Sequence, residues 1–119
     1  MGYRSTVALA VDTEIMPAFM AALSQEPAAS QLVFADHDTL LKDYCGEGNL
    51  LVMWDGIKWY ESYPEIAKIE QFIADPSDFG FEGEAGDHFK FVRIGEEMDD
   101  NHHEGWGFDD IYISRSLQF

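Results

Sequence analysis

At 119 residues the chain has the size of one domain, with too little left over for a second. An apolar fraction of 46%, with nine Phe, five Tyr and three Trp, excludes a disordered acidic tail and predicts a packed core. Twenty-three Asp and Glu against seven Lys and Arg leave a net charge of −16, which repels nucleic acid and anionic membrane and draws in basic protein surfaces over about 8–10 Å.

The opening MGYRSTVALAVDTEIMPAF lacks the long apolar core and small-residue cleavage site of a signal peptide. No apolar stretch approaches the roughly 20 residues that span a bilayer. Cys45 is the only cysteine, so no internal disulfide forms and a reducing compartment is favoured. Together these predict a cytoplasmic protein.

Residues 3–11, YRSTVALAV, read as a strand with Val7, Leu9 and Val11 on one face. Ala8 and Ala10 keep the other face small, as close packing of a helix would need. Asp12 and Thr13 offer a cap for an amphipathic helix marked by Ile15, Phe19 and Leu23, with Pro17 in its first turn and Pro27 as its stop. QLVFA reads as a short edge strand, HDTLLKDYC as a strand or helical turn, and CGEGN as a turn. LLVMWDGIKWY, residues 50–60, is expected to be a buried strand ending at Asp55–Gly56.

A second helix is capped by Ser62 or Tyr63, with Pro64 at its first position and Glu65 where the helix dipole favours an acid. Ile66, Ile69, Phe72 and Ile73 form its buried stripe, and Asp75–Pro76 ends it. A Gly-rich acidic loop over 77–87 leads to the strand HFKFVRI, with Phe89 and Phe91 opposed to Val92 and Ile94. A polar loop over 95–109 then leads to a last strand, DIYISRSLQF. The expected class is therefore α+β: one domain over 1–119, with two helices on one face of a mainly antiparallel sheet of four to five strands. A ferredoxin-like or related split arrangement is the expected topology.

Possible metal ligands concentrate in EEMDDNHHEGWGFDD, residues 96–110, which could serve a metal-dependent enzyme or a metal-stabilised domain. Spacing opposes this, because neither a calcium-loop pattern nor His-Glu-x-x-His occurs. His102 and His103, being adjacent, point to opposite sides of an extended backbone. Nucleophilic catalysis has only Cys45 and His37 to draw on, and the acids around Cys45 raise rather than lower a thiol pKa. GEG and GFEGEAG lack the Lys-Ser/Thr ending of a phosphate loop. No catalytic, metal or cofactor site is therefore assigned. Trp54, Trp59, Tyr60 and Tyr63 lack the basic groove of a base-stacking platform, and read instead as core or as anchors of a protein interface.

From residue 82 to 110 the acids are Glu82, Glu84, Asp87, Glu96, Glu97, Asp99, Asp100, Glu104, Asp109 and Asp110, against only Lys90 and Arg93. Gathered on one face, they would present a basic protein with a charge row like that of DNA, about one charge per 1.7 Å. Trp106 or Trp59 would supply an apolar anchor.

The opening MGYRS, the central WDGIKWYESYPEI, then FKFVRIGEE and the closing ISRS together resemble a family of small bacteriophage and prophage proteins, in order and spacing from Gly2 to Ser116. The resemblance carries no activity with it, and HHEGWGFDD lies outside its motifs. It implies a chain that binds a host protein, as an anti-CRISPR-like or DNA-mimic inhibitor of a nuclease or CRISPR effector would. A virion or assembly component, exposing an apolar patch and forming oligomers, is the other expectation it allows.

Overall fold

The computed structural model describes residues 2–44, 46–97 and 100–108. Its elements are β1 (Ser5–Val11), α1 (Met16–Ser24), α2 (Pro27–Phe34), β2 (Thr39–Tyr44), β3 (Asn49–Ile57), α3 (Pro64–Ala74), β4 (Phe89–Ile94) and β5 (Asn101–Gly105). Short 3-10 turns cover Pro76–Phe79 and Ala85–His88. The strands lie in the order β2-β3-β1-β4-β5, and every neighbouring pair is antiparallel. The fold is α+β. The first four strands and their helical crossovers follow the split βαβ order of ferredoxin-like domains, with β5 added outside β4.

Alternation along the strands sorts the core into two layers. Val7, Leu9 and Val11 join Leu50, Val52, Trp54, Phe89 and Phe91 beneath the helices, which contribute Phe19, Leu23, Val33, Ile69 and Phe72. Phe19 and Phe72 meet with ring centroids 5.2 Å apart. The opposite face carries Ala8, Ala10, Leu51, Val92 and Ile94, with Phe108 packed on it. The helices thus choose the face opposite to the small one expected for them. Three helices above a sheet leave a volume that only large side chains fill at interior density.

Two further expectations change, and a third is left untested. QLVFA belongs to α2 and forms no edge strand: Pro27 takes the first helical position, the Glu26 carboxylate accepts from the Ala28 N–H, and Ala29 and Val33 face inward one turn apart. Pro27 therefore starts a helix as well as following one. The 95–109 segment contains β5, whose side chains at 101–104 are all exposed. An edge strand of that kind has no apolar alternation to announce it. The strand expected over DIYISRSLQF lies outside the described residues.

Asp55–Gly56 does not end β3. Pairing with β1 runs Val7 to Trp54 and Ser5 to Ile57, so β3 carries one extra residue there. Gly56 has φ +74, the left-handed conformation that such a bulge favours in glycine. Charged side chains satisfy the backbone groups around the bulge. Asp38 Oδ2 accepts from the Asp55 N–H at 2.6 Å, and Arg4 Nη1 donates to the Gly56 carbonyl at 2.7 Å. Among the described residues, no helix is long and apolar enough to cross a membrane.

Candidate functional site

The sequence-predicted acids are divided by the β4–β5 ladder. Lys90 pairs with Gly105 at one end of it and Ile94 with Asn101 at the other, roughly 14 Å away at about 3.4 Å per residue. Glu82, Glu84 and Asp87 belong to the loop and 3-10 turn that enter β4, and all three are exposed. Trp106 joins them from the far end of β5. Its N–H donates to the Gly86 carbonyl at 2.8 Å, and its indole Nε1 donates to Asp87 Oδ1. The ring packs directly over Gly86, where a Cβ would displace it. Trp106 remains 58% exposed, the most exposed of the large apolar side chains among the described residues.

Glu96, Glu97 and Asp100 sit at the opposite end, in the β4–β5 connection. The Glu96 and Asp100 carboxylates are tied into structure there, whereas Glu97 contributes its backbone N–H. Tyr3 Oη donates to Asp100 Oδ2 at 2.6 Å and accepts from the Glu97 N–H at 3.1 Å. Arg93 Nη1 reaches the same Asp100 oxygen at 3.2 Å, and Glu96 Oε2 accepts from the Arg4 N–H at 2.5 Å. The Tyr3 hydroxyl, followed by Arg93, holds the Asp100 carboxyl below its ordinary range, and the Asp100 hydrogen bond pushes the Tyr3 phenol up. Glu104 is exposed on β5 beside His102, with Oε1 to Nε2 at 3.2 Å. Asp99, Asp109 and Asp110 lie outside the described residues.

Trp59 is half-buried, with rings of Trp54 and Phe91 at 5.4 and 5.8 Å, and its Nε1 donates to Glu70 Oε1 at 2.9 Å. It walls a hollow of about 310 Å³ shared with Tyr3, Glu70, Arg93, Asp100 and His102. His102 opposes Arg93 and His103 opposes Val92, on the two faces of β5. Among the described residues no three His, Cys, Asp or Glu side chains gather as a metal site. His37 Nδ1 lies 2.9 Å from the Val33 carbonyl, a hydrogen bond that ends α2, while Cys45 is outside the described residues.

One further polar cluster joins β1 to β4. Asp12 Oδ1 accepts from the N–H groups of Glu14 and Ile15, which caps the turn into α1, while Oδ2 sits 2.6 Å from His88 Nδ1. That hydrogen bond is the main reason the His88 pKa is raised, with the charges of Asp12, Glu14 and Asp87 adding to it.

Sequence reasoning missed a cleft of about 400 Å³ where β3, α2 and α3 meet beside the Asp55–Gly56 bulge. Leu32, Trp54, Ile57 and Ile66 supply its apolar lining, and Asp36, Asp38, Asp55 and Glu65 its carboxylates. Arg4, Lys58 and Tyr63 complete it. An Asp-Gly pair inside an apolar strand is a signal for a bulge, and a bulge commonly re-aims side chains near a site. Comparison with protein-family models, with curated proteins and with solved structures finds no match to this chain.

Proposed function

We propose that the chain is a small acidic phage or prophage protein that binds and blocks a basic host protein, such as a nucleic-acid-handling defence complex. The observation that supports this reading is an uncompensated surface. Every Asp and Glu among the described residues is exposed or half-exposed, and the one Lys or Arg ion pair there joins Arg93 to Asp100. Carboxylates left without internal counter-ions act on whatever approaches, raising the association rate of a basic partner and opposing an acidic one. The end of the ladder that carries Glu82, Glu84 and Asp87 also presents Trp106, an aromatic of the type that anchors interfaces. The phage origin rests on the resemblance of the sequence motifs.

The test is capture of host proteins on the immobilised chain, eluted in steps of rising salt, followed by association kinetics with the captured partner. A nucleic-acid-handling protein released by salt is the expected result. Glu82→Lys/Glu84→Lys is expected to slow its association by about tenfold and to flatten the salt dependence. Glu97→Lys does the same at the other end of the ladder if both ends face the partner. Association unchanged in both variants would remove the acidic β4–β5 edge from the binding surface.

A further inference from the structure

We propose that the cleft between β3, α2 and α3 receives one long basic side chain, an arginine or lysine, from a protein partner. This rests on the basic-partner reading above and names where that partner is gripped. The cleft has the two-part chemistry that such a side chain needs. Its aliphatic stem lies well against an apolar lining, here Leu32, Ile57, Ile66 and the edge of the buried Trp54. Its charged head needs carboxylates close to that lining, and four are supplied.

These carboxylates are held in different ways. Asp38 and Asp55 each have one oxygen committed to the bulge: Asp38 Oδ2 to the Asp55 N–H, and Asp55 Oδ1 to the Thr6 hydroxyl at 3.0 Å. Each keeps a second oxygen. Asp36 and Glu65 have no side-chain partner among the described residues. Tyr63, 38% exposed, adds an aromatic face of the kind on which a guanidinium stacks.

Other occupants fit less well. Four carboxylates oppose phosphate and nucleic acid, and would be left desolvated by a purely apolar ligand. Arg4 and Lys58 also line the cleft, but Arg4 is held on the Gly56 carbonyl and the lining stays net negative. A volume of about 400 Å³ suits one side chain with its flanking backbone, at the lower end of ordinary ligand pockets of about 300–1,000 Å³.

The experiment is an amide chemical-shift titration of the whole chain with acetyl-Gly-Arg-Gly-amide and with its norleucine analogue, which keeps the stem and lacks the charge. The expected result is shifts confined to the cleft, around residues 32–38, 54–58 and 63–66, with a dissociation constant of roughly 1–10 mM for the arginine peptide alone. Asp36→Asn/Glu65→Gln, which preserves shape and leaves the bulge intact, should weaken it by about fivefold or more, while Glu82→Gln/Glu84→Gln should not. Shifts spread over the whole acidic surface and indifferent to Asp36→Asn/Glu65→Gln would overturn the cleft while leaving the acidic-surface reading in place. Equal binding of the norleucine peptide, or no shifts at all, would overturn it too, and the capture experiment would then judge the acidic-surface reading separately.

Discussion

Asp12 performs two tasks that a pair of substitutions can separate. One oxygen caps the turn into α1, and the other faces His88 at 2.6 Å. Asp12→Asn retains an oxygen for the cap and removes the charge seen by the imidazole, whereas Asp12→Ala loses both. A lost cap costs about 1 kcal/mol. A hydrogen bond to a charged group is worth about 1.5–3 kcal/mol. Both side chains are about a quarter exposed (23% and 25%), so solvent screening reduces the His88 share to roughly 1 kcal/mol.

The sign follows from the direction of the shift. The His88 pKa is raised in the folded chain, so protonated His88 stabilises the fold below the unfolded histidine value of about 6.5. That contribution is lost as pH rises through the higher folded value. Urea unfolding of the parent, Asp12→Asn, His88→Gln and the double variant at pH 5.5 and pH 9 measures the coupling directly. The expected coupling is about 1 kcal/mol at pH 5.5 and less than half of that at pH 9. Equal coupling at the two pH values would refute a charged pair and leave only a neutral hydrogen bond.

Two further outcomes are expected. Phe72 is fully buried and meets the rings of Phe19, Phe79 and Phe89 at 5.2, 6.4 and 6.3 Å, so Phe72→Ala should lower unfolding free energy by about 3–5 kcal/mol in urea titration. A loss below about 1 kcal/mol would contradict the packing described. The Asp100 pKa is lowered by the Tyr3 hydroxyl and then by Arg93, so its contribution is present above about pH 4 and disappears as pH falls through the folded value. Thermal melts of Asp100→Asn between pH 2 and 6 should be less stable than the parent at pH 6 and converge with it at the acid end, and parallel curves would exclude the pair as a source of acid sensitivity.

Local physical chemistry made much of the fold legible. The α3 stripe of Ile66, Ile69, Phe72 and Ile73 is buried as its spacing predicts, and Pro64 and Asp75 bracket it. In β4, Phe89 and Phe91 separate from Val92 and Ile94 onto opposite faces, again as alternation predicts. Elements whose period was short or whose face was exposed were harder to read. α2 carries two buried residues one turn apart, too few to distinguish LVF from a strand, and β5 buries no side chain over 101–104.

The candidate site divides in the same way. Acid-rich composition and the exposure of Glu82, Glu84 and Asp87 follow from residue type alone, because isolated charges stay in water. Whether those acids stand together does not, since it depends on β5 returning antiparallel, which brings Glu104 and Trp106 back toward Asp87 and leaves Glu96 and Glu97 at the far end of the ladder. The cleft is a tertiary product throughout: Leu32, Asp38, Asp55 and Glu65 come from separate elements and meet because a one-residue bulge in β3 interrupts the ladder where α2 and α3 pack. Sign of charge, most core residues and which residues share a strand face were legible in the chain, because they depend on local periodicity and solvation, whereas the face the helices cover was not. Which carboxylates are tied down by hydrogen bonds and which face solvent emerges only on folding, because that depends on contacts between residues far apart in the chain.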